Sequence, residues 1–302
     1  MPTWRQSAVA AITRRYPLYS GCGSLANHPL LRRIAGPGDD IGWARVQGGL
    51  IAAAPLDDYC GRAIFYVGEL DRKVSWVCSR LVNPGDTVLD IGANMGLVSL
   101  VLSALVGKQG RVHAFEPIPE MQALIERSIA RNGIENIRLH RIALGTEPGD
   151  LVISIPPGHA GAATFVPTWE RADNLRISVP VNTLSAALAD QEIHKIRFVK
   201  VDVEGYEPKV FEGAAELFAR TPPDAILFEL VDLAGPIAEH PSIKILSEYG
   251  YGFFSLPRRL FRMNVQRIDL ADSSAALAGH DLVAARLGPV YEKVGSLLRA
   301  RS

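Results

Sequence analysis

The chain has 302 residues, 48% of them hydrophobic and 21% charged, which is typical of one globular domain or of a domain with an added lobe. Lys plus Arg and Asp plus Glu both number 32, so the formal net charge is zero and disfavours a nucleic-acid substrate. Three widely spaced cysteines argue against a disulfide framework and a thiolate zinc site, and no leader-like start or long apolar run is present, which predicts a cytoplasmic protein without a membrane span.

The first part of the chain is predicted to form an N-terminal lobe. Residues 1–69 contain clusters of glycine and proline that favour short strands and helices. Residues 70–288 are predicted to form the main domain, beginning with a helix over 70–82. Residues 289–302 are predicted to be a C-terminal helical segment.

From residue 87 onward, short β-branched runs alternate with longer amphipathic stretches, the pattern of repeated βα units and a largely parallel sheet. The predicted core strands are Thr87–Ile91, Arg111–Glu116, Ile137–Ile142, Arg197–Asp202 and Ala225–Leu230. Helices are predicted between them at Met95–Val106, Pro119–Asn132 and Glu207–Ala219.

Two later regions complete the predicted elements. The stretch 150–181 predicts strands at Leu151–Ile155 and Ile177–Val181, with a Pro/Gly-rich flap between them. After Leu230 the pattern predicts a helix at 243–249, strands at 251–256 and 280–285, and a terminal helix at 289–299.

A glycine-containing loop follows the first core strand. It reads Asp90-Ile-Gly-Ala-Asn-Met-Gly96, where a buried strand passes into a helix and free backbone N–H groups can meet a ligand. A carboxylate at Asp90 would repel a pyrophosphate but attract the ammonium group of an amino-acid moiety. The loop also lacks the G-x-G-x-x-G fingerprint of dinucleotide-binding proteins.

Glu116 ends the second core strand, 24 residues after Gly92. In nucleotide-binding sheets an acidic residue about 20 residues beyond the loop accepts the ribose hydroxyls, so Glu116 is predicted to bind a ribose. The alternative is a surface glutamate in front of a helix that begins with proline.

Three further acids lie at strand ends. Asp202 and Glu204 follow the fourth core strand at i and i+2, and could bind the cofactor, a cation or a substrate hydroxyl, although Glu204 could instead cap the next helix. Glu229 lies inside an apolar strand, either as a wall of the acceptor site or as an ion-paired structural residue.

The seven histidines form no metal-binding motif, and the chain has no G-x-S-x-G elbow or Walker loop.

With these residues in place, the chain resembles the FkbM family of S-adenosylmethionine-dependent methyltransferases over roughly residues 65–285. Five ordered segments carry the resemblance, at 84–96, 110–117, 142–145, 179–184 and 199–205. Tyr206 is a departure, since the family often has a small residue there.

The resemblance implies a Rossmann-like class I methyltransferase fold: a seven-stranded, mostly parallel α/β sheet in the order 3-2-1-4-5-7-6, with the seventh strand antiparallel and helices on both faces. It implies hydroxyl O-methylation of a sugar or small natural product, with Asp202 near the methyl group to be transferred. Because a hydroxyl must lose a proton, an adjacent carboxylate is the expected catalytic group; Asp202 is the first candidate, and Glu204 and Glu229 are the next. The implied cofactor-binding residues are Asp90, Gly92, Ala93, Asn94, Gly96, Glu116, Pro117, Ala143, Leu144 and Asp202.

Two other functions stay open at this stage: an NAD-dependent oxidoreductase and a non-catalytic S-adenosylmethionine-binding scaffold. The expected partner is a small-molecule or glycan acceptor, with no metal and no nucleic acid, and a homo-oligomer is compatible with the sequence. Arg258, Arg259 and Arg262 form a basic cluster that is either a solvated face or a contact for a phosphate or carboxylate.

Overall fold

Short helices and a two-stranded ribbon form the N-terminal lobe of the computed structural model, which describes residues 2–38, 40–231, 235–257, 260–261, 263–271 and 279–299. The elements are α1 (Trp4–Thr13), α2 (Cys22–Ala26), α3 (Pro29–Ala35), β1 (Ile41–Arg45), β2 (Ile51–Pro55) and α4 (Tyr59–Val67). The predicted mixture of short strands and helices is thus confirmed. Buried side chains of α4 and β2 share one hydrophobic cluster with Met95, Leu97 and Met121, so the lobe packs directly on the main domain.

The strands of the main domain form two sheets. In chain order they are β3 (Thr87–Ile91), β4 (Arg111–Phe115), β5 (Ile137–His140), β6 (Ala143–Leu144), β7 (Gly149–Ile155), β8 (Leu175–Asn182), β9 (Phe198–Val201), β10 (Ala225–Glu229), β11 (Tyr251–Ser255), β12 (Gln266–Ile268) and β13 (Asp281–Arg286). All five predicted core strands are present, each within two residues of its predicted bounds.

The central sheet has the order β5-β4-β3-β9-β10-β13-β11-β12. Strand β13 is antiparallel to both neighbours, while β5, β4, β3, β9 and β10 are mutually parallel. The first seven strands reproduce the predicted order, which confirms the predicted fold, and one strand is added to the predicted seven. The eighth strand, β12, pairs with β11 at the sheet edge, and its three residues are too few to carry a periodic signal.

The helices of the main domain are α5 (Arg72–Leu81), α6 (Leu97–Val106), α7 (Pro119–Asn132), α8 (Leu184–Ala187), α9 (Glu207–Glu212), α10 (Ala215–Arg220), α11 (Pro241–Glu248) and α12 (Pro289–Arg299). Helix α7 has its predicted bounds, because Pro119 starts the first turn and Gly133 ends the helix in a left-handed conformation. Among the described residues, no helix has the length and apolarity needed to cross a bilayer.

The single helix predicted over 207–219 is wrong, since two short helices, α9 and α10, occupy this segment. The break falls at Gly213, where an added Cβ would lie 2.0 Å from the carbonyl oxygen of Gly145. The close approach of these two backbones interrupts the helix, and the apolar spacing on either side of the glycine gives no sign of it.

The smaller sheet has the order β6-β8-β7, with β7 and β8 antiparallel. Residues 156–174 connect these two strands and are called the flap below; short 3₁₀ turns at Ala160–Ala162 and Pro167–Trp169 give it a defined path. The predicted strand pair and its flap are both present, and the flap leads towards the carboxyl ends of the central strands.

Candidate cofactor and active site

A cavity of about 620 Å³ lies at the carboxyl ends of β3, β4, β9 and β10, and is called the main cavity below. Its lining comes from those strand ends, the flap and the N-terminal lobe. Open α/β sheets bind ligands at this edge, and the volume is that of a typical small-molecule site. The position of the main cavity therefore agrees with the edge predicted from the motifs.

The loop after β3 forms one wall of the main cavity through Gly92, Ala93 and Asn94. Gly92 has φ of +73°, and an added Cβ would lie 1.9 Å from the carbonyl oxygen of Asp202. Only glycine permits this approach of the two strand ends. Asn94 is left-handed at φ of +51°, a conformation that non-glycine residues adopt mainly at functional sites.

Glu116 holds this loop in place from the end of β4. Its Oε2 accepts a hydrogen bond from the Asn94 backbone N–H at 2.7 Å, and its Oε1 accepts one from Ile118 N–H at 2.9 Å. The side chain is buried but lines the main cavity, and burial raises the pKa of Glu116 to about 7. It is therefore not the surface glutamate of the alternative interpretation.

Lys200 is the buried cation beneath the site. Its Nζ donates to the Gly92 carbonyl oxygen at 2.7 Å and lies 3.5 Å from Asp90 Oδ1 and 3.4 Å from Asp202 Oδ2. Burial alone would lower the pKa of Lys200, but the charges of Asp202 and Asp90 outweigh it and leave that pKa raised. The lysine therefore joins the β3 and β9 ends electrostatically.

Two of the predicted cofactor-binding residues lie outside the lining of the main cavity. Asp90 is fully buried, where its Oδ2 accepts a hydrogen bond from Ser99 Oγ at 2.5 Å. Gly96 is the N-cap residue of α6. Direct contact of either residue with a ligand stays a prediction, and the contacts of Asp90 with Ser99 and Lys200 support the loop from below.

Asp202 and Glu204 both line the main cavity. The Asp202 side chain is 47% exposed, whereas Glu204 is half-buried and left-handed at φ of +49°. Burial, followed by the charges of Asp202, Glu229 and Glu207, raises the pKa of Glu204 to about 8. The pKa of Glu204 therefore lies near the pH at which a general base works best.

Glu229 lines the main cavity at the end of β10, next to β9, together with Asp281, its register partner on β13. Asp71 lines the same cavity. The buried Lys73 pairs with both Asp71 and Asp281, its Nζ lying 3.3 Å from Asp71 Oδ2. The structure therefore brings all three predicted catalytic acids, Asp202, Glu204 and Glu229, to one cavity. Lys73 is a second buried lysine, and its charge compensates those of Asp71 and Asp281.

The flap and the lobe close the remaining side. Asp58 Oδ2 accepts a hydrogen bond from the Ala160 backbone N–H at 2.8 Å, and the rings of Tyr59 and His159 lie 4.6 Å apart at their centroids. Thr164 Oγ1 donates to the Glu204 carbonyl oxygen at 2.8 Å. The flap is therefore tied both to the lobe and to the β9 end, and together they enclose the acids.

The apolar side of the main cavity is next to Glu116. It contains the predicted residues Pro117, Ala143 and Leu144, together with Phe115 and Ile118. Tyr206, the departure from the family pattern, lines the main cavity as well, with its ring 5.1 Å from that of Phe165. A planar aromatic ligand group fits between apolar walls of this kind.

Sequence reasoning missed several site residues. For Lys200 a local signal exists, because a lysine inside the apolar strand β9 can be buried only with a partner. That signal alone did not identify Lys200 as a site residue. No pattern could have placed Asp58, Tyr59 or His159, because the lobe and flap reach the site only through tertiary packing.

Two further predictions concern metal binding and a cluster of arginines. Within the described part of the chain, no group of three or more His, Cys, Asp and Glu side chains is arranged to hold a metal ion. The predicted cluster of Arg258, Arg259 and Arg262 lies outside the described residues.

Comparison with known proteins gives a consistent result. A family model described as the methyltransferase FkbM domain matches residues 90–253. Methyltransferase sdnD of Sordaria araneosa is 29% identical over 157 residues, covering 43% of this chain and 60% of that protein. The 31-O-demethyl-FK506 methyltransferase FkbM of Streptomyces tacrolimicus is 27% identical over 162 residues, covering 45% and 62%.

A relative whose name specifies a nucleic-acid acceptor also matches. Ribosomal RNA large subunit methyltransferase E of Pseudomonas fluorescens is 35% identical over 117 residues, covering 37% of this chain and 53% of that protein. The chain thus spans between half and two thirds of the length of these three relatives. All three names specify methyl transfer, and the two that name an acceptor, FK506 and ribosomal RNA, name different ones.

Proposed function

Because this chain belongs to the FkbM family of methyltransferase domains, we propose that it transfers a methyl group from S-adenosylmethionine to a hydroxyl oxygen of a sugar or small natural product. The family match confirms the resemblance predicted from the sequence, and with it the predicted cofactor. The proposal rests on one observation: Glu116, the predicted ribose-binding residue, and Glu204, a candidate base, line the same cavity.

The residues of the main cavity fit this cofactor chemically. Asn94 has a buried Oδ1 for which the described residues supply no hydrogen-bond donor, and an ammonium group would supply one. Glu116 offers carboxylate oxygens to ribose hydroxyls, and the apolar side with Ala143 and Leu144 suits the adenine. The acids Asp202 and Glu204 suit a cationic ligand.

S-adenosylmethionine supplies an electrophilic methyl group when it is bound. The chain must then orient the acceptor hydroxyl and take its proton. Glu204 suits the second task because the pKa of its carboxyl is about 8, and a positioned base of this kind contributes about 10²–10⁴-fold. The flap and lobe would exclude water and shape the acceptor pocket.

The choice of a hydroxyl acceptor has support from the relatives. The name of the Streptomyces tacrolimicus protein specifies a 31-O-demethyl acceptor. A small acceptor also suits a cavity of about 620 Å³ that is closed by the flap. The ribosomal RNA methyltransferase represents the alternative, a nucleic-acid acceptor, which a net charge of zero does not favour.

The first test of this proposal is ligand-dependent thermal stability. We expect S-adenosylhomocysteine at about 100 times its Kd to stabilise the protein by about 2.7 kcal/mol, with NADH giving no shift. Stabilisation by NADH alone would favour the oxidoreductase. Binding of S-adenosylmethionine without turnover of any hydroxylated sugar or natural product tested would favour the non-catalytic scaffold.

Glu116→Ala is expected to weaken S-adenosylhomocysteine binding by about 1–3 kcal/mol, because it removes a charged hydrogen bond to the ribose. It also frees the Asn94 loop that Glu116 fixes. Isothermal titration calorimetry measures the effect, and Glu120→Ala, an exposed acid on the first turn of α7, is the matched control. Equal affinities for the two variants would contradict the ribose assignment.

A further inference from the structure

A second depression, which we call the arginine groove, lies between the N-terminal lobe and α5. It has a volume of about 570 Å³, and its walls include Arg14, Arg45, Arg72, Tyr19, Trp76 and Glu69. Glu69 is the one residue that it shares with the main cavity. The arginine groove is therefore a separate site adjoining the one described above.

The guanidinium groups are held by backbone carbonyls. Arg14 donates to the Phe65 carbonyl oxygen from Nε at 3.2 Å and from Nη2 at 2.9 Å, and Arg72 Nη1 donates to that of Leu18 at 3.3 Å. Over the described ranges, none of the three arginines forms an ion pair with a carboxylate. The guanidinium groups of Arg14 and Arg72 are thus oriented, and no ion pair among the described residues neutralises any of the three.

Two of these charges, those of Arg14 and Arg45, lie close enough to repel. Burial, followed by the charge of Arg45, lowers the pKa of Arg14. The second of these causes means that two positive charges lie near each other. Arg45 is exposed and contacts Arg14 through its backbone carbonyl, 3.5 Å from Arg14 Nη1. A bound anion would relieve this repulsion.

Glu69 supplies only part of the missing negative charge: the charge of Arg72 acts on it, but burial is the larger influence on its pKa. It is the one acid among the described residues that line the arginine groove, and it is 6% exposed. Its oxygens accept hydrogen bonds from Leu70 N–H and Ser75 Oγ, and burial raises its pKa to about 7. A single, partly protonated acid leaves an excess of positive charge from three arginines.

We propose that the arginine groove binds a phosphate group. Guanidinium N–H groups are donors that match the oxygens of a phosphate, and three arginines line this one groove. S-adenosylmethionine carries no phosphate, so this ligand is a different molecule or a phosphorylated part of the acceptor. The side chains of Trp76 and Tyr19 offer aromatic surface to a base attached to that phosphate.

The test uses inorganic pyrophosphate and ADP on the full chain, at constant ionic strength, with binding followed by calorimetry and tryptophan fluorescence. We expect pyrophosphate to bind, and the Arg45→Gln, Arg72→Gln double variant to lose at least tenfold in affinity. Arg15→Gln, an exposed arginine of the same lobe that does not line the groove, should keep the wild-type affinity. Saturating S-adenosylhomocysteine should leave the pyrophosphate affinity unchanged, because the two sites are separate.

The outcomes separate the possible sources of the phosphate. Tighter binding of ADP than of pyrophosphate, lost in Trp76→Phe, would identify a nucleotide, whereas equal binding of both would identify a phosphate on another scaffold. No binding of either probe above a chloride control would overturn the proposal. An equal loss of affinity in Arg15→Gln would also overturn it, since that result describes general charge attraction. None of these outcomes depends on the methyltransferase assignment.

Discussion

Lys200→Met is expected to lower the free energy of unfolding by about 3–5 kcal/mol, the loss typical of removing one partner from a buried ion pair. Asp90 is fully buried and would then lack its cation. The hydrogen bond from Nζ to the Gly92 carbonyl would be lost as well. Urea denaturation of the ligand-free protein at pH 7 measures the change.

A double variant separates charge from packing. In Asp90→Asn, Lys200→Met no buried carboxylate is left without a partner, so part of the lost stability should return. Lys209→Met removes an exposed lysine paired with Glu212, and should cost no more than about 1 kcal/mol. A loss in Lys200→Met as small as that in Lys209→Met, or a double variant less stable than Lys200→Met, would contradict the electrostatic role.

The parts of the site that the sequence could predict are local. The loop from Asp90 to Gly96 and the acid Glu116 each follow directly from a buried strand, and parallel strands end at the same edge of a sheet. The strand order then fixes which of these ends are neighbours. For this reason Asn94 and Glu116 could be predicted to meet, and a hydrogen bond of 2.7 Å joins them.

The parts that escaped prediction depend on contacts distant in the chain. Lys73 pairs with Asp281, which lies 208 residues later, and Asp58 holds Ala160 of the flap across 102 residues. Neither pair has a spacing or a residue pattern that would reveal it. The acceptor side of the site is built from such contacts, so the sequence predicts the cofactor more closely than the acceptor.

The structure also changes the order of the candidate bases. From the sequence, Asp202 is the first candidate, because the family resemblance places it near the methyl group to be transferred. In the structure the Asp202 carboxylate lies 3.4 Å from the buried Lys200 ammonium, a contact that ties it to the support of the loop. Glu204 is more buried than Asp202, and burial together with the charges of three other acids raises the pKa of Glu204 to about 8, so it is the better candidate to accept a proton.

Glu204→Gln is accordingly expected to lower kcat by about 10²–10⁴-fold, the usual contribution of a positioned general base. The side chain keeps its size, so the affinity for S-adenosylhomocysteine should change little. The assay is methyl transfer to a hydroxylated acceptor found in the screen described above, with calorimetry of S-adenosylhomocysteine in parallel. Glu212→Gln, an exposed acid on α9, is the control and should retain full activity.

The pH profile gives an independent readout of the same group. A base acts in its deprotonated form, and the pKa of Glu204 is about 8, so kcat/KM of the wild type should rise with pH and level off above about pH 8. Glu204→Gln should lose this rise along with the rate. If Asp202→Asn abolishes turnover while Glu204→Gln retains both its rate and the pH-dependent rise, the proton is taken by Asp202, and the raised pKa of Glu204 reflects only its burial among other acids.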